Sequence, residues 1–328
     1  MTEPEFTITC VATDRTRPLA TGEVAVRGAR LRFVFDEPES IFRTALNEAR
    51  FPLTELSMSS HVVTTARSDA NYVAVPVFLS RAFRHSAIFV RSDAGIASLA
   101  DLKGAAIGLP EYQQTAAMWV RGMMNDAGVA ASDVTWHVGG LDRPGSGERI
   151  ALDLPPTIRV HALCGEETLD AMLLAGRLDA IVSPRVPASV LRGDTRIRRL
   201  YADPRIAEMA YYRDTGFFPI MHALAVRKDV AEAYPWLPAS LFAAFTEAKR
   251  RVLEELAMSN VLRVSLPWIG HDHASAMHVT GGDPWPYGFA RNRTEIEAMT
   301  RYMSADGTAS RKVDPEELFH PSTLALVQ

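Results

Sequence analysis

The feature that most narrows the fold is the order in which two periodicities alternate along the chain. Phe6–Val11 and Leu31–Phe35 alternate in the manner of strands. Pro38–Arg50 predicts a helix with Ile41, Phe42, Ala45, Leu46 and Ala49 on one face. Val73–Leu79 and Ala87–Val90 return to a strand pattern. Near residue 95 a second series opens: strand Ala105–Leu109, helix Glu111–Ala127 stopped by Gly128, strand Val134–Val138, helix Glu166–Leu174 and strand Leu178–Val182. A third stretch starts near residue 216, with strand Phe217–Val226 and helices Ala239–Met258 and Thr294–Met303. Residues 139–157, 192–201 and 267–293 read as connecting structure. Strands alternating with helices predict an α/β chain with mixed, mostly parallel sheets flanked by helices. The middle series interrupts the other two, so residues 1–94 plus 216–328 are expected to form lobe one and residues 95–215 an inserted lobe two. An insertion needs two crossings between lobes, and hence a hinged cleft.

Composition removes several functions. The 328 residues are 47% hydrophobic and 23% charged, ordinary for a globular chain. The net charge of −4 offers no basic field for a nucleic-acid backbone. No run of about 18 uncharged apolar residues exists to span a membrane. The start, MTEPEFTITC, lacks a basic segment followed by an apolar one, so it does not read as a signal peptide, and a cytoplasmic protein is expected. Cys10 and Cys164 cannot make a disulfide framework and read as two buried thiols in a reducing compartment. Neither GxGxxG nor GxxxxGK[ST] nor GxSxG is present, and no organic cofactor is expected.

SLADLKGAAIGLP, LDAMLLAGRLDAIV and HALAVRKDVAEAYPWLPASLFAAFTEAK are similar to type II periplasmic-binding-protein domains, over roughly residues 6–255. A narrower likeness spans nearly the whole chain. DRTRPL (14–19), LSMSSH (56–61), RHSAIFV (84–90), GLPEYQQTAAMWVRG (108–122), GFFPIMHALAVR (216–227), WPYGFARNR (285–293) and EELFHPS (316–322) resemble the 4,5-dihydroxyphthalate decarboxylase family. The resemblance implies a cytoplasmic aromatic-acid decarboxylase on a two-lobed binding-protein fold, taking 4,5-dihydroxyphthalate to protocatechuate. The alternative is a non-catalytic solute-binding protein for a small aromatic or carboxylate ligand. Either way the partner is a small aromatic carboxylate, with self-association into a homo-oligomer left open.

Direct loss of CO2 from a benzoate leaves an aryl anion with no delocalisation. A hydroxyl para to the carboxylate pushes charge onto the ipso carbon instead, so an acid can protonate that carbon before CO2 departs. The site then needs a cation for the retained carboxylate, a base or metal near the phenol oxygens and an acid over the ring. His85 and His222, each on or near a lobe-one strand beside the expected hinge, are the candidate acids, because imidazole titrates near neutrality. Arg15, in a polar turn, and Arg185, just past a lobe-two strand, are candidate carboxylate clamps. Glu111, Tyr112, Gln113 and Thr115 follow a strand and open a helix, where free N–H groups suit an anion. Glu111 is also a candidate catalytic carboxylate, and Tyr112 a ring to stack on the substrate. Ser57, Ser59 and Ser60 form a polar strand-to-helix junction able to bond a carboxylate or phenol. His271 and His273, alternating as on a strand beside Asp272 and His278, are candidate ligands for a divalent metal, although a solvated polar loop is the plainer reading.

Overall fold

The computed structural model describes residues 3–145 and 148–328; Ser146 and Gly147 of the expected 139–157 loop lie outside the described residues. In chain order the strands are β1 (Glu5–Cys10), β2 (Arg30–Phe35), β3 (Leu53–Ser57), β4 (Tyr72–Arg81), β5 (Ile88–Arg91), β6 (Ala106–Leu109), β7 (Thr135–Val138), β8 (Arg159–Ala162), β9 (Ala180–Val182), β10 (Ile197–Arg199) and β11 (Ile220–Arg227). They form two sheets, ordered β2-β1-β3-β11-β4 and β10-β5-β9-β6-β7-β8. In the first, β1 runs parallel to β2 and β3, while β11 is antiparallel to both β3 and β4. In the second, β6 is parallel to β7 and β9, and β5 is antiparallel to β9 and β10. These are the two mixed sheets that the alternation predicted.

Sheet membership moves one expected boundary. Ile88–Arg91 pairs with β9 and β10, so the first crossing between sheets lies at residues 82–87 rather than at 94. The chain returns through helix Pro204–Thr215, which ends at Gly216. That residue has φ of +72°, a conformation only glycine adopts without strain, and it turns the chain into β11. The connecting stretch 192–201 contains β10, a three-residue edge strand too short for its alternation to register.

Helix Thr115–Asp126 ties the lobes together. Residues 115–124 are all buried, Arg121 included through its pairing with Asp306 at 2.7 Å, so the helix presents no solvent-facing stripe over this length. Ala116, Met118 and Trp119 join the core around the first sheet, whereas Ala117, Val120, Met123 and Met124 join the core around the second. Burying a side chain as large as Trp119 stabilises by about 2–3 kcal/mol, and its Nε1 also donates to the Ile220 carbonyl at 2.8 Å. The helix begins four residues later than the sequence pattern predicts. The N–H groups of Tyr112 and Gln113 point instead at the Glu148 carboxylate, which holds 111–114 as a turn.

The expected 267–293 loop contains helix Ile269–Thr280. Gly270, Ala274 and Ser275 dilute its apolar stripe, and it buries no residue fully. The last long helix runs Phe289–Ala305, longer at both ends than expected. No helix among the described residues is long and apolar enough to cross a membrane. Cys10 is buried as anticipated, but Cys164 is exposed, because the turn after β8 leaves it outside either core.

Candidate active site

A cleft of about 240 Å³ opens where the two lobes meet. Its floor is built by Ser57 at the end of β3, Met221 and His222 on β11, and Thr115 and Ala116 at the start of the interlobe helix. Arg84, in the first crossing, and Arg149 add charge. Glu37, Glu39 and Phe42 line the lobe-one side, and Pro184 and Arg185 the lobe-two side. A second hollow of about 390 Å³ shares Glu39, Gln114, Pro184 and Arg185 and continues along Glu111 and Gly139–Arg143.

His222 is the sequence candidate that the structure places on the floor. Its Nδ1 lies 2.6 Å from Oε1 of Glu55, a carboxylate only 2% exposed. The other Glu55 oxygen, Oε2, accepts the Val11 N–H at 2.8 Å. The Phe42 ring stands edge-on to the imidazole, centroids 4.6 Å apart. Strand geometry fixes this grouping: His222 sits opposite Ser57 and Leu224 opposite Glu55 across the β3–β11 ladder.

Three arginines line the cleft, and their partners separate them. Arg149 is bonded to Glu111 at 2.7 Å and lies 5.2 Å over the Phe42 ring. Arg185, placed on the cleft as expected, reaches across to Glu39 of lobe one at 2.7 Å. Arg84 donates through Nε to the sulfur of Met221 at 3.2 Å and has no described carboxylate within 4.0 Å, Glu208 acting on it only from farther off. Burial pulls its guanidinium down to about 10, so it remains charged at neutral pH. An unpaired, largely desolvated cation beside free helix N–H groups is a site for a carboxylate.

Of the remaining candidates, Ser57 and Thr115 share the floor and the others stand elsewhere. Thr115 lines the cleft, its hydroxyl 2.9 Å from that of Ser57. Ser59, Ser60 and Gln113 are fully buried and bond one another: Ser59 to the Gln113 carbonyl, Ser60 to Gln113 Oε1 at 2.9 Å. They brace the floor from beneath. Glu111 neutralises Arg149 and accepts from Gln113 Nε2 at 2.7 Å, and it borders the outer hollow. Tyr112 has no exposed surface to offer a substrate; it packs edge-on to Trp136 under the Arg121 guanidinium.

Two expected functional residues are structural neighbours of the site. His85 does not line the cleft. Its ring is wedged between Tyr201 and Tyr211 of the returning segment, at 5.2 and 5.1 Å, so it packs the two crossings together. Burial pushes this imidazole down to about 4, which leaves it neutral at pH 7 with no acidic proton of the imidazolium kind. Arg15 is equally engaged: it bonds Asp14 at 2.7 Å and the Leu79 carbonyl at 3.1 Å, and stacks 3.8 Å above Trp285. Its charge is met by Asp14, and it does not line the cleft. His271 and His273 lie on a helix, where residues two apart point to different sides, so they cannot chelate one ion as a strand pair would. Among the described residues no three His, Cys, Asp or Glu side chains gather in a way that could hold a metal ion.

The bilobed α/β fold, with an imidazole and an arginine facing its interlobe cleft, is of the periplasmic-binding-protein type. The same fold is seen in the periplasmic aliphatic sulphonate binding protein of Escherichia coli, with a TM-score of 0.55 at 14% identity over 99% of this chain and 100% of that one. The NMT1/THI5 like family matches residues 43–143. The 4,5-dihydroxyphthalate decarboxylase of Comamonas testosteroni is 42% identical over 312 residues, covering 95% of this chain and 94% of that protein. That of Pseudomonas putida is 47% identical over 204 residues, 62% of this chain and 79% of that protein. The chain belongs to the 4,5-dihydroxyphthalate decarboxylase family.

Proposed function

We propose that the protein decarboxylates 4,5-dihydroxyphthalate to 3,4-dihydroxybenzoate by protonating the ring carbon that bears the departing carboxylate. The observation that carries this reading is the placement of His222 beside an unpaired Arg84 in one cleft. Arg84 and the first N–H groups of helix Thr115–Asp126 take the retained carboxylate. With one ring substituent so anchored, the neighbouring carbon comes within reach of His222.

A phenol hydroxyl para to the departing carboxylate releases its proton to water, and the oxygen pushes electron density to the ipso carbon. The protonated imidazole gives its Nε2 proton to that carbon, which becomes tetrahedral. The bond to the carboxylate then breaks, CO2 leaves, and the electron pair restores the aromatic ring. Water returns one proton to the phenolate and one to Nε2, so each turnover consumes one proton overall. A positioned acid of this kind contributes about 10²–10⁴ in rate.

Both cysteines are unpaired, which suits a reducing compartment, and we place the enzyme in the cytoplasm. The test is incubation with 4,5-dihydroxyphthalate, following CO2 and phenolic product together. One CO2 and one 3,4-dihydroxybenzoate per substrate are expected. Saturable binding of the dicarboxylate without CO2 release would instead make the protein a solute-binding relative.

A further inference from the structure

We propose that Glu55 is a positioning residue for the decarboxylation: its carboxylate holds the Nδ1–H of His222, so that Nε2 is the nitrogen that delivers and regains the proton. The inference rests on the reading of His222 as the ring acid, and deepens it.

Glu55 occupies the middle of β3, a strand buried along its whole length between β1 and β11. A carboxylate there is heavily penalised by desolvation unless its oxygens are bonded. Both are: Oε2 takes the Val11 N–H, and Oε1 lies 2.6 Å from Nδ1 of His222. An ionised carboxylate only accepts, so the proton in that bond belongs to Nδ1. Glu55 does not line the cleft, and it acts on the substrate only through the imidazole.

This bond does two things for the reaction. It holds the ring from one edge while Phe42 packs nearly perpendicular to it, and the acid is mounted on two paired strands instead of a loop. It also selects the tautomer. Once Nε2 has given up its proton, the neutral ring left behind carries hydrogen on Nδ1, the form Glu55 already holds. Nε2 is reprotonated from water with no ring flip between turnovers. Without the carboxylate, the neutral ring is free to carry its proton on Nε2 with a bare Nδ1, or to rotate away from the substrate.

Glu55→Gln tests this. Glutamine keeps the size but has one acceptor oxygen, which can serve Val11 or His222 and not both. The expected result is a kcat lower by at least about tenfold, the usual scale for losing a carboxylate that orients an imidazole, with KM within about twofold. A merely structural role would not predict the second readout. Wild-type protein should show a downfield imidazole N–H proton resonance by NMR, absent from both His222→Gln and Glu55→Gln. Wild-type kcat in Glu55→Gln with that resonance retained overturns the proposal. If Glu55→Gln does not fold, the wild-type spectrum decides alone, because lack of a downfield resonance that His222→Gln removes overturns it too. Full turnover by His222→Gln refutes the reading of His222 itself, an outcome distinct from failure at Glu55.

Discussion

His222→Gln is expected to lower kcat by about 10²–10⁴ while leaving the fold and KM nearly unchanged. Glutamine has similar reach and can still accept or donate a hydrogen bond in the cleft. It cannot supply an acidic proton, so the ring carbon must be protonated by water. Because the side chain acts in the transition state and not as the anchor for the ground-state carboxylate, the loss should fall on kcat. Glu55 stays buried in this variant, and the glutamine amide can donate to its Oε1, which limits the structural cost. Steady-state kinetics with a circular-dichroism control separates the two effects. A variant with wild-type kcat would show that the proton comes from elsewhere.

Arg84→Met should do the opposite. Methionine preserves the apolar stem and the contact with Met221, but removes the one cleft arginine that has no carboxylate partner among the described residues. A charge-assisted hydrogen bond to a carboxylate is worth about 1.5–3 kcal/mol, and Arg84 can make two in parallel. The expected result is a rise in KM, and in the Kd of phthalate, of about 10- to 100-fold or more. The analogous changes Arg149→Met and Arg185→Met remove cations already neutralised by Glu111 and Glu39, and should weaken phthalate less. Equal losses at all three positions would mean that the cleft attracts the dianion by its summed field and not by a particular clamp.

The architecture was legible because period-two and period-3.6 stretches alternate cleanly, and the interruption near the middle forces two crossings. His222 was legible because a histidine in an otherwise apolar strand run stands out. Its partner was not. Leu53–Ser57 is too short for its pattern to register as a strand, and only the structure reveals that β3 is central and buried along its length. Had the strand been recognised as central, its glutamate would have demanded a partner. His85 misled for the converse reason: the tyrosines that enclose it come from residues 201 and 211, more than a hundred positions away. Arg15 and Arg84 both sit in polar segments after strands, and nothing local tells which side of the sheet each guanidinium takes. Arg149 lies in a loop whose path past Phe42 has no periodic signature. The histidines at 271 and 273 read as a strand-like pair because Gly270 and the small residues beyond them mask a helix.

Phthalate keeps both carboxylates but lacks the hydroxyl that drives CO2 loss, so it should bind and persist. Its position in a complex with the wild-type protein is the most direct measurement. One carboxylate should lie against the Arg84 guanidinium, with the carbon bearing the other facing Nε2 of His222 at proton-transfer distance. Phthalate seated away from Arg84, or with its ring beyond reach of that nitrogen, would contradict the mechanism.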